Sequence, residues 1–121
     1  MELRQIAQRA TDLDRASDFY TVLLERAPSA RFADPDLLFF DLDGVRLLLD
    51  ANAPSALHYF EVDNVHETIE RLGGAIEVVT PPQVIFVHDT HALGPEGHEE
   101  WQAFVRDTEG NTIGLIAFQK P

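Results

Sequence analysis

Two distant segments of the chain carry one pattern. DLDGVRLLLD starts at Asp41 and DTEGNTIGLI at Asp107; each reads Asp, any residue, an acid, Gly, two variable positions and an apolar stretch. The pattern predicts a turn with glycine (Gly44, Gly110) at the position that needs positive φ, followed by a strand. Upstream, ATDLDRASDFYTVLLERA and EVDNVHETIERLGGA also correspond. Each sets an Asp (Asp12, Asp63) before a helical stretch, where a carboxylate satisfies orphan backbone N–H groups as an N-cap. Ala16, Phe19, Tyr20, Leu23 and Leu24 form the apolar face of the first helix, and Val65, Ile69 and Leu72 that of the second. The Gly73-Gly74 pair ends the second.

The chain is therefore a duplicated strand–helix–strand–strand–strand unit. Its expected fold class is α+β: two βαβββ modules with mixed sheets, residues 1–50 and 56–121, joined by the linker 51–55. The strands expected in the first module are Leu3–Arg9, Arg31–Phe32, Leu37–Leu42 and Val45–Asp50. In the second they are Ala56–Val62, Glu77–Val79, Val84–Val87, Trp101–Arg106 and Thr112–Phe118. The second module is longer by about 15 residues, an insertion of the kind that maps to a loop. The extra residues fall in PPQVIFVHDTHALGPEGHEE, which holds three of the five histidines.

Composition narrows the function. Lys and Arg total 9 against 21 Asp and Glu, a net charge of −12, so a nucleic-acid backbone is not an expected partner. The absence of cysteine removes disulfides, thiolate metal sites and cysteine nucleophiles. No apolar run approaches the roughly 20 residues that span a bilayer, and the N-terminal MELRQIAQRATDLDRA has charges where a secretory signal is apolar. The expectation is an acidic cytoplasmic domain without membrane partners. No GxSxG elbow, phosphate-binding loop or dinucleotide fingerprint is present.

The order and spacing of QIAQRATDLDRASDFYTVLL, LHYFEVDNVHETIERL and EEWQAFVRDTEGNTIGL resemble the vicinal oxygen chelate superfamily. That group includes glyoxalase I, bleomycin-resistance proteins, fosfomycin-resistance enzymes, methylmalonyl-CoA epimerase and extradiol dioxygenases. The resemblance implies sheets that curl into a cup around a ligand, a homodimer, and a divalent metal held by one residue on the first and last strand of each module. Those four positions correspond to Gln5, Leu48, Leu57 and Gly114, of which only Gln5 carries a donor. Gly114 stands where glyoxalase I has the Glu that serves as ligand and base. His58 adjoins Leu57, but neighbouring strand residues point to opposite faces. No metal or other cofactor is therefore expected.

The resemblance also implies which residues line the cup. Arg9 shares a strand face with Gln5 and falls where glyoxalase I holds a carboxylate of its substrate; a guanidinium is a strong bidentate anchor for an anion. Arg46 shares parity with Leu48, and Tyr59 with Leu57. In the insertion, His88-Asp89-Thr90-His91 and His98-Glu99-Glu100-Trp101 frame the loop Leu93–Gly97. This segment is expected to act as a lid that touches ligand through His88, His91 or Trp101. The alternative for it is a metal site built from His88, His91 and His98 with Asp89 or Glu99.

The expected function is a metal-independent small-molecule binding protein whose ligand contacts are Gln5, Arg9, Arg46, Tyr59, His88, His91 and Trp101. The alternative is a divergent lyase, isomerase or dioxygenase that uses His88 or His91 as base, or a relocated metal. A charge of −12 favours a cationic ligand, whereas Arg9 favours an anionic one.

Overall fold

The computed structural model describes all residues from 1 to 121. The elements run β1 (Gln5–Arg9), α1 (Leu13–Leu24), β2 (Ala30–Ala33), β3 (Asp36–Leu42), β4 (Val45–Asp50), β5 (Tyr59–Glu61), α2 (Val65–Leu72), β6 (Glu77–Val87), β7 (Glu99–Arg106) and β8 (Thr112–Gln119). This is βαβββ twice. The two four-stranded sheets have orders β1-β4-β3-β2 and β5-β8-β7-β6. In each, the outer pair (β1 with β4, β5 with β8) is parallel and the others antiparallel. No helix is long and apolar enough to cross a membrane.

The chain divides into two compact units. Met1–Ala56 and Asp107–Asn111 form the first; Leu57–Arg106 and Thr112–Pro121 form the second. The turn between β7 and β8 thus groups with the first unit.

In the first unit, α1 starts at Asp12, whose carboxylate accepts from Arg15 N at 3.0 Å. The helix buries Leu13, Ala16, Phe19, Tyr20 and Leu23. Strand alternation presents Leu38, Phe40, Leu47, Leu49 and Gln8 to that helix, all fully buried; the Tyr20 and Phe40 rings lie 6.3 Å apart. The turn 107–111 supplies polar ties to this core. Tyr20 donates to Asp107 at 2.6 Å, and Asn111 Nδ2 donates to the Arg9 carbonyl at 2.7 Å. Glu109 accepts from the Thr11 and Asp12 amides at 3.0 and 2.9 Å and from Arg15 Nε at 2.7 Å. The acid in the second DxEG repeat thus binds the start of the first helix, where donors are unpaired and the helix dipole favours negative charge.

In the second unit, Asn64 rather than the expected Asp63 caps α2. Its side chain accepts from Glu67 N at 3.0 Å and its carbonyl from Thr68 Oγ1 at 2.9 Å. An Asn one residue later in the chain offers the same acceptor, and position 64 has the extended backbone that a cap needs. The helix ends at Gly73, with φ of 93°. Val65, Ala103, Val105, Ile113, Leu115 and Ala117 form the core. The two strands expected at 77–79 and 84–87 are one strand, β6, with register irregularities from Val78 to Phe86. Pro81 and Pro82 are tolerated because β6 is an edge strand.

Burial would raise the Glu109 carboxyl, but the hydrogen bond and charge of Arg15 and the Asp12 and Thr11 amides outweigh it and hold the group below its ordinary value. The resulting stabilisation is complete above the ordinary carboxylate range and disappears as pH falls through the lowered value. Glu109→Ala should cost about 1 kcal/mol near neutral pH by removing the acceptor of the Thr11 and Asp12 amides and of Arg15. In thermal melts, the gap to wild type should narrow steadily as pH falls below the ordinary carboxylate range.

Candidate functional site

Alternation that buries one face of the first sheet exposes the other. Gln5 and Arg9 of β1, Leu37 and Phe39 of β3, Arg46 and Leu48 of β4, and Phe32 of β2 lie on the face away from α1. Phe32 is 53% exposed and meets Phe39 edge-on at 5.9 Å. The Arg46 guanidinium lies over the Phe39 ring, 5.8 Å from its centroid. Here a recess of about 500 Å³ opens, lined by Ser29, Phe32, Pro35, Leu37, Phe39 and Arg46, with Asp34 and Ala30 completing it. That volume suits a small organic ligand. Gln5 stands beside Arg46 in register and Arg9 beside Asp50, four residues further along.

On the second sheet, the face away from α2 has two clusters. At one end the Tyr59 ring packs edge-on to Phe104 at 5.7 Å, over Gly114, the register partner of both. At the other end His88 Nε2 lies 2.9 Å from Glu100 Oε1, and Glu100 Oε2 accepts from Gln102 Nε2 at 2.6 Å. Phe86 and Phe118 flank the imidazole at 4.8 and 5.7 Å. His88 is only 3% exposed. Gly94 sits so close that an added Cβ would come 2.7 Å from Phe118 and 3.0 Å from His88.

The other residues of the insertion go elsewhere. His91 is exposed and its Nε2 is 3.9 Å from Glu96. His98 Nδ1 bonds to the Glu96 carbonyl at 3.1 Å. Trp101 lies on β7 with its ring 5.3 Å from His66, which is on α2, so it faces the helix and not the cluster around His88. His88 thus goes to Glu100, while His91 and His98 meet the carboxylate and the carbonyl of Glu96. No group of three His, Asp or Glu side chains is gathered to hold an ion.

Neither the protein-family models nor the curated proteins include a match. Solved structures do match over almost the whole chain. A glyoxalase/bleomycin resistance protein from Albidiferax ferrireducens T118 is 17% identical with a TM-score of 0.68, covering 95% of this chain and 98% of that one. A glyoxalase/bleomycin resistance protein/dioxygenase family enzyme from Burkholderia phytofirmans PsJN is 14% identical with a TM-score of 0.69, covering 97% and 98%. A glyoxalase/bleomycin resistance protein/dioxygenase from Alicyclobacillus acidocaldarius is 18% identical with a TM-score of 0.65, covering 97% and 91%. The fold is the one that these glyoxalase/bleomycin-resistance structures share.

The residues at the four metal-ligand positions that the resemblance implies do not fit a divalent ion. Gln5 offers an oxygen, but Leu48, on the same face and in register with Ala7, offers none. Leu57 precedes β5 and is an exposed hydrocarbon. Gly114 lacks a side chain, and the space for one is filled: an added Cβ would lie 2.5 Å from Tyr59 Cδ2. His58 has a buried Nδ1 without a partner and a pKa that burial lowers, favouring the neutral ring, but a single imidazole does not replace the donors missing at Leu48 and Gly114. Hard divalent chemistry needs several converging donors, and this set supplies one.

The aromatic residues Phe32, Leu37's neighbour across the hairpin, and Phe39 were not singled out by pattern. The signal was there in LLFFDL, an apolar run through a strand that has only one helix to cover it. Gly114→Ala should destabilise the fold by about 1–3 kcal/mol through overpacking against Tyr59. In a Tyr59→Ala background the same change should be nearly neutral, a coupling read from a double-mutant cycle of urea melts.

Proposed function

We propose that the protein is a metal-independent small-molecule binding protein of the glyoxalase/bleomycin-resistance type. The observation that carries this reading is the Tyr59 ring in the space that a metal-binding side chain at position 114 would take. A site that has lost three of four donors keeps the fold's open sheet faces, and an apolar recess with a few polar groups is what binding without chemistry requires. The recess on the first sheet supplies this, with Ser29 and Arg46 as polar contacts among aromatic walls.

The protein acts as a cytoplasmic homodimer in this reading. Supporting self-association, the edge strand β6 exposes Val79, Ile85, Phe86 and Val87, each by about half; such an edge is a template for a second copy.

A second reading, an enzyme of the lyase, isomerase or dioxygenase kind, draws on the Gln102–Glu100–His88 chain. A carboxylate that orients an imidazole is a general-base arrangement. Its weakness is access: Gly94 and two phenylalanines enclose His88, and the base must reach its substrate.

Native mass spectrometry of tag-free protein tests the proposal after incubation with zinc, nickel, manganese and ferrous iron and then desalting. The expected species is a metal-free dimer. One metal ion retained per chain would overturn the metal-independent reading and move the enzyme to the front.

A further inference from the structure

The charge of this chain makes its unpaired cations informative. Arg4, Arg15, Arg26, Arg31 and Arg106 each pair with a carboxylate, as expected where acids outnumber bases more than two to one. Arg9 and Arg46 form no ion pair, and both lie on the open face of the first sheet. Arg46 is the register partner of Asp41, yet Asp41 turns its carboxylate to the Gly44 amide at 3.1 Å. The glycine turn therefore draws away the acid that would otherwise neutralise the arginine. Over the Phe39 ring at 5.8 Å, the guanidinium has a cation–π contact that uses none of its N–H groups in an ion pair and leaves them free to donate.

We infer that the recess on the first sheet takes a flat aromatic ligand carrying a carboxylate or similar anionic group. The ring lies between Phe32, Leu37 and Phe39, and the anion meets the edge of Arg46. This rests on the small-molecule reading above and names its ligand class. The field of a −12 chain opposes an anion at long range, so the preference is local and comes from one arginine. Asp34 and Pro35 lie at the hairpin end of the recess and Arg46 at the other end, so the two charges do not compete for one group. Arg9 is four residues along the sheet from the level of Arg46, about 13 Å at the rise of a strand, and does not share the same small anion.

Three probes of one shape separate charge from shape: naphthoate, naphthylmethanol and naphthylmethylamine, titrated calorimetrically into chelator-treated protein. Naphthoate should bind about tenfold more tightly than the alcohol, the amine most weakly. Arg46→Gln should erase the preference of acid over alcohol, while Arg9→Gln should leave the preference intact. Equal affinity for acid and alcohol, tighter binding of the amine, or an unchanged preference in Arg46→Gln would overturn the anionic ligand class while leaving a binding recess. No binding by any of the three at millimolar concentration would overturn both this inference and the small-molecule reading.

Discussion

One helix covers one face of a four-stranded sheet, and each unit of this protein has a single helix. Everything functional follows from what stands on the other face. In the first sheet the strands alternate so that Leu38, Phe40, Leu47 and Leu49 go under α1 and Leu37, Phe39, Arg46 and Leu48 do not. A strand with solvent on one side normally alternates apolar and polar. Here β3 is apolar on both sides for four residues, and β4 carries Leu48 outward between Arg46 and Asp50. Such a surface suits a ligand, and in the reading proposed above the guanidinium of Arg46, at the recess, sets the chemistry.

The repeat made the architecture legible. Asp12, Gly44, Gly73 and Gly110 mark caps and turns whose backbone needs are local, so sequence alone locates them; strand β4 falls at Val45–Asp50 as expected. Local reasoning fails where two residues offer the same chemistry, as with Asp63 and Asn64 at the start of α2. It also fails at the edges of sheets, where pairing decides length. Tyr59–Glu61 is shorter than the expected Ala56–Val62, and β6 runs through two prolines because this edge strand breaks its register with β7 between Thr80 and Gln83, where neither proline is paired.

The site was legible in part and for similar reasons. Strand parity places Gln5, Arg9, Arg46 and Leu48 on one face, and the sheet register agrees. The histidines were another matter: parity carries no information inside a loop, so 88, 91 and 98 could be neighbours or strangers. His88 goes to Glu100, His98 to the Glu96 carbonyl and the exposed His91 towards the Glu96 carboxylate. Glu100 and Gln102 were hidden because their role depends on the β6–β7 register. Glu109 was visible as part of a repeated turn, but its grip on α1 is a contact across 94 positions or more, which no local pattern encodes.

The central claim is that a metal-free sheet face in the first unit binds the ligand. NMR of isotopically labelled, chelator-treated protein titrated with naphthoate tests it most directly, because each recess residue reports separately. The account predicts shifts concentrated at Phe32, Leu37, Phe39 and the Arg46 side chain, with His88 and its neighbours still. Shifts confined to residues 84–104, or shifts that appear only after a divalent metal is added, would contradict it.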